Sequence, residues 1–159
     1  MKKMALIGII ALACAFYAGY LAGGGRESAG EQERPTIYSQ WIKAEKPPIP
    51  KVAIDGKDMV VKRGSYTWCQ PGSGETNTCT SVDAAAIPEP EPVSVKGGSL
   101  IQPTAPERIK ELTLINTSKG FSGDAYYVPT AKGVYTYRIY CEWFLDQGQA
   151  DFFFTVKVE

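Results

Sequence analysis

Histidine is absent from this chain, and cysteine is scarce, with 4 in 159 residues. The first absence removes the commonest general base near neutral pH and the imidazole metal ligand. A basic surplus is lacking too, since 17 Lys+Arg face 17 Asp+Glu. Lys2 and Lys3 belong to a leader with no acid, so the remainder is slightly acidic. No stretch interleaves Lys/Arg with aromatics as a phosphate-tracking groove needs, which argues against nucleic acid as a partner. Beyond Arg26 there is also no long apolar run and no convincing helical period.

The one long apolar run is Met4 to Ala22, uncharged and directly behind Lys2 and Lys3. As a helix it would span about 28 Å, close to the roughly 30 Å of bilayer hydrocarbon. Residues 1–22 are therefore expected to be a signal peptide or N-terminal membrane anchor, with the membrane as a partner through residues 4–22. An uncleaved anchor fits the length best. Cleavage at Ala13-Cys14-Ala15 and lipidation of Cys14 after Leu12-Ala13 are the alternatives. In each case the two lysines stay inside and residues 27–159 are exported. They would sit at the extracellular face of the membrane, anchored or lipidated, or be secreted.

Residues 23–50 hold Gly23-Gly24-Gly25, mixed charges and Lys46-Pro47-Pro48-Ile49-Pro50. That composition predicts a tether, with Ile37 to Ile42 as an apolar patch able to dock as a helical turn or a strand. From Lys51 the apolar period becomes two. Val52 and Ile54 lead into Asp55-Gly56, a hairpin signal, and Met59 to Val61 follow. Pro88, Pro90 and Pro92 predict an irregular connector, because alternate prolines cannot sit in a ladder. Tyr135, Tyr137, Ile139, Cys141 and Trp143 fall on one face of a strand. After a turn at Asp146 to Gln149, Phe152, Phe154, Val156 and Val158 fall on one face of the return. Turns every eight to twelve residues predict an all-β fold over residues 51–159, an antiparallel β-sandwich of about 7–9 strands.

An exported domain sits where disulfides persist. Cys69 and Cys79 bracket a segment of turn-forming residues and are the preferred pair. Closing so short a loop stabilises by about 2–3 kcal/mol through the unfolded state. Cys141 is then a buried free thiol, with Cys69–Cys141 and Cys79–Cys141 as open alternatives. Two thiolates in a chain without histidine do not make a metal site, and no cofactor is expected.

Gly64-Ser65-Tyr66-Thr67-Trp68, the short Cys-containing loop, Ser81-Val82-Asp83-Ala84 and the proline-rich return to Val93-Ser94-Val95-Lys96-Gly97-Gly98 resemble a known group. Together with Tyr137 to Trp143, the Gly148 turn and Phe152 to Val158, they look like small exported proteins of Gram-positive bacteria. Those proteins are mostly uncharacterised and often lipoproteins. The likeness covers residues 52–158 and implies an immunoglobulin-like sandwich and an extracellular location.

No catalytic set emerges from the residues. Asp55 and Asp58 flank Gly56 and Lys57 without further oxygen ligands, and read as a hairpin turn rather than as paired acid and base. Asp83, Tyr66, Trp68 and Trp143 are assigned structural roles, with Asp83 capping a turn or orienting the Tyr66–Trp68 strand. The candidate binding surface is Arg138, Tyr140 and Phe153 on the outward face of the last hairpin, with Tyr126 and Tyr127 on a loop. The expected function is therefore non-enzymatic: a cell-envelope binding or accessory module whose partner is an envelope protein, a peptide or a wall polymer. The alternative is a protease inhibitor that presents the Cys69–Cys79 loop.

Overall fold

Two-residue alternation becomes strand at intervals from Lys51 to Val158. The computed structural model describes residues 37–72 and 76–159, and these belong to one unit, Pro35–Glu159. Nine strands occur among the described residues: β1 (Lys51–Ile54), β2 (Lys57–Asp58), β3 (Lys62–Pro71), β4 (Asn77–Val82), β5 (Val93–Val95), β6 (Ile101–Thr104), β7 (Ile109–Asn116), β8 (Gly133–Trp143) and β9 (Gly148–Val158). They form two sheets. One is three-stranded, in the order β2-β1-β6, and the other is six-stranded, running β4-β3-β9-β8-β7 with β5 added to β9.

The arrangement is a β-sandwich. A single apolar cluster joins Val52, Ile54 and Ile101 of the small sheet to Trp68, Tyr137, Ile139, Trp143, Phe152, Phe154 and Val156 of the large one. Within it Trp68 meets Trp143 edge-on at 5.0 Å, and Tyr137 stacks on Phe154 at 4.9 Å. Such pairs add to the area that each ring removes from water.

The turn chemistry explains much of the path. Asp55 and Gly56, with φ of 50° and 75°, form the two-residue loop between β1 and β2, whose register pairs Ile54 with Lys57. Two left-handed residues give the backbone twist that a tight hairpin requires. The proline connector after β4 is irregular and delivers β5 to the C-terminal half of β9, where Val93 pairs with Val156 in parallel. This is the exception to the antiparallel pairing expected throughout. β8 and β9 are joined by a short 3-10 helix, Phe144–Asp146, with Leu145 and Asp146 at positive φ.

The segment before β1 lies against the domain. Ile37–Gln40 is a single 3-10 turn, and Trp41 after it is buried and donates its Nε1–H to Leu145 O at 3.0 Å. Gln147 acts as a side-chain strand partner. Its Oε1 accepts from Ile42 N at 2.8 Å and its Nε2 donates to Ile42 O at 2.7 Å. Further along, Trp68 Nε1 donates to Ala44 O and the Arg63 guanidinium donates to Pro47 O. Burial lowers the Arg63 pKa from its ordinary value.

The membrane expectation is corrected here. No helix among the described residues is long and apolar enough to cross a membrane, because they are strand joined by loops and single 3-10 turns. Residues 4–22, on which that partner rested, lie outside the described residues, as does Cys14.

Candidate functional site

Strand alternation gives the large sheet an inner face, which makes the core, and an outer face that looks away from it. On β8 the outer face carries Thr136, Arg138, Tyr140 and Glu142. On β9 it carries Gln149, Asp151, Phe153, Thr155 and Lys157, and on β3 it carries Lys62 and Thr67. Cross-strand register sets the neighbours: Arg138 lies opposite Phe153, and Tyr140 lies opposite Asp151.

Two adjoining hollows lie on this face and share Ser65 and Asp151. The first, of about 130 Å³, is lined by Ser65, Tyr66, Thr67, Asp83, Tyr140, Gln149, Ala150 and Asp151. The second, of about 220 Å³, is lined by Ser65, Ala84, Ala86, Ile87, Pro88, Thr117, Arg138, Asp151 and Phe153. One is polar with two carboxylates; the other has an apolar wall supplied by the connector after β4. That connector is tied to β3 where Ala84 N donates to Ser65 Oγ at 3.0 Å and Lys62 Nζ donates to Glu89 O at 3.4 Å.

Tyr140 is half-buried, and its hydroxyl donates to Gln149 Oε1 at 2.9 Å. Burial first, and then the neighbouring Glu142, pushes its phenol pKa up, so it stays a neutral donor. Arg138 Nε and Asp151 Oδ1 stand 3.6 Å apart, an ion pair longer than a hydrogen bond, and neither atom has a hydrogen-bond partner among the described residues. Lys110 is bound to Glu142 at 2.6 Å, and that bond raises its pKa.

The residues expected to form a surface separate into two places. Arg138 and Tyr140 share the outer face. Phe153 is there too but is only 6% exposed, so it is floor rather than an exposed anchor. Its ring lies over Gly64, where an added Cβ would come within 2.6 Å of Phe153 Cε2. The β3 register shifts at that point, between Arg63 and Tyr66. Tyr126 and Tyr127, 39% and 51% exposed, instead run beside the start of β6 in the other sheet. Ile101 N donates to Tyr126 O at 2.8 Å, and Leu100 bridges to Tyr127.

Among the structural residues, Trp68 and Trp143 are core, and Tyr66 packs against the core beneath Arg63. Asp83 is exposed at the rim of the polar hollow. Gln149, Asp151, Ser65 and Thr67 join the site without having been singled out in the sequence. Alternation along β9 would have grouped Gln149 and Asp151 with Phe153, but only the register brings Asp151 to Tyr140.

The Cys69–Cys79 disulfide is formed, between residues directly opposite each other on β3 and β4, and Cys141 is a buried free thiol. The strands run to Pro71 and Asn77, so the segment between the cysteines begins and ends as hairpin arm. Its tip, residues 73–75, lies outside the described residues. No group of three His, Cys, Asp or Glu side chains that could hold a metal ion occurs among the described residues. No family model, curated protein or solved structure matches the chain.

Proposed function

We propose that this chain is a non-enzymatic extracellular binding module of the cell envelope, and that its ligand lies on the outer face of the large sheet. The observation that carries this reading is the pair of adjoining hollows bounded by Tyr140, Arg138, Asp151 and the 83–88 connector. A sheet whose central strands, β9 and β8, bury their other face in the core is a rigid platform. Side chains fixed on such a platform lose little freedom on binding.

The formed disulfide supports an oxidising, extracytoplasmic compartment. A β-sandwich is the fold type that the resemblance over residues 52–158 implies, and the extracellular address is part of the proposal. The absence of histidine and the shallow form of the groove favour binding over turnover.

Hydrogen–deuterium exchange of the full chain, with and without solubilised cell-wall and secreted-protein fractions, tests this. Saturable protection is expected over 138–140 and 149–153, and Tyr140→Ala should abolish it. Protection elsewhere, or none with any fraction, would defeat the reading.

A further inference from the structure

We propose that the outer-face groove takes an extended polypeptide segment bearing one basic side chain and, two residues away, one aliphatic side chain. This inference rests on the outer-face reading and names its ligand.

Charge complementarity fixes the basic residue. The polar hollow presents the Asp83 and Asp151 carboxylates and no basic lining residue. Arg138, the nearest base in the groove, reaches Asp151 only at 3.6 Å through its Nε. Lys110 on the neighbouring edge is already satisfied by Glu142. Asp151 thus already has an ion-pair partner, whereas Asp83 has none among the described residues. A partner ammonium or guanidinium would supply that counter-charge, and the half-buried Tyr140 ring beside it adds a cation–π contribution.

The second hollow fixes the aliphatic residue. Ile87 is 63% exposed, and with Ala86, Pro88 and Phe153 it forms a wall that gains from being covered. Asp151 and Phe153 are successive outward residues of β9, about 6.8 Å apart along the strand. An extended segment places alternate side chains at that same spacing on one face. The apolar end also holds Arg138, which would repel a second base there and so sets the order of the two side chains.

Calorimetric titration of the full chain decides the matter. The probe is a short capped glycine–threonine peptide with one lysine and, two places on, one leucine. Counterparts carry glutamate for the lysine or glycine for the leucine. Saturable binding of the parent peptide is expected, with each counterpart about tenfold weaker. Asp83→Asn should weaken the parent about threefold, and Ile87→Ser should weaken it similarly. Both side chains are exposed, so the urea unfolding midpoint should not move.

Equal affinity for the glutamate peptide, or indifference to Asp83→Asn, overturns the proposal. If a neutral oligosaccharide or the glutamate peptide binds instead and Tyr140→Ala abolishes that binding, the outer-face reading stands and the ligand class falls. If no probe binds in a Tyr140-dependent way, both fall. Sedimentation showing a dimer that Ile87→Ser dissociates would give the groove to a second copy and overturn the proposal as well.

Discussion

Strands β8 and β9 pair from Gly133↔Val158 to Glu142↔Gln149, and their inner faces bury Tyr137, Ile139, Cys141, Trp143, Phe152, Phe154 and Val156. Strands β3 and β4 pair from Tyr66↔Val82 to Pro71↔Asn77, yet all six residues of β4 are exposed. The first hairpin is central to its sheet and is held by what it removes from water. The second ends in an edge strand with almost nothing to bury, and a covalent bridge does there what packing does elsewhere. The difference follows from position, because an edge strand has ladder bonds on one side only and contributes little to the core.

Emptying the core of the central hairpin should have the largest effect. Phe154→Ala removes a ring that is 0% exposed and stacked on Tyr137. The expected loss is about 3–5 kcal/mol, from lost transfer energy plus the cavity left behind. Urea unfolding followed by tryptophan fluorescence measures it, and a loss near that of an exposed substitution would mean that the inner face is not packed as described.

Removing the staple should come next. Cys69→Ala combined with Cys79→Ala, or reduction of the wild type, should cost about 2–3 kcal/mol, mainly through the unfolded state. Native-state hydrogen exchange should then quicken most in 78–81, while β8 and β9 keep their relative order. An unchanged urea midpoint would show that packing alone holds β4, and the contrast between the hairpins would fail.

The central hairpin was also the more legible of the two. Tyr137, Ile139, Cys141 and Trp143 alternate without interruption, so period, face and burial could be read together. Asp55-Gly56 was legible for a similar reason, since two adjacent left-handed residues suit a tight hairpin and little else. Gln147 was not. A polar residue in a turn reads as exposed, whereas this one is 1% exposed because its amide bonds both backbone groups of Ile42.

Gly148 hides a similar constraint, since a Cβ there would collide with Thr67 O. The outer-face groove was half legible. Alternation placed Arg138 and Tyr140 outward, but register is set by the Phe144–Asp146 turn, and register alone decides that Asp151 faces Tyr140. Phe153 lies outward as alternation placed it, but its 6% exposure and its close approach to Gly64, far away in sequence, were not legible.

The last effect is absent at neutral pH and appears only in alkali, and it sharpens the contrast because both groups concerned lie on β8. Burial pushes the Tyr137 phenol from its ordinary 10.0 up to about 12, and the Cys141 thiol from 9.0 up to about 12. A raised folded-state pKa means that the unfolded chain ionises first. The contribution of each group is therefore complete below its unfolded value and declines as pH rises through the interval to about 12. Urea midpoints at rising pH should fall from about pH 9, where the unfolded Cys141 begins to ionise, and more steeply from about pH 10. Tyr137→Phe should remove the part of the decline that begins near the tyrosine value, whatever it does to stability at neutral pH. Thiol labelling provides the independent reading: Cys141 is 0% exposed, so it should react only as fast as β8 opens. Rapid stoichiometric labelling at pH 9, with the fluorescence of the folded state intact, would mean that β8 is not enclosed. The division between a packed hairpin and a stapled one would then be wrong.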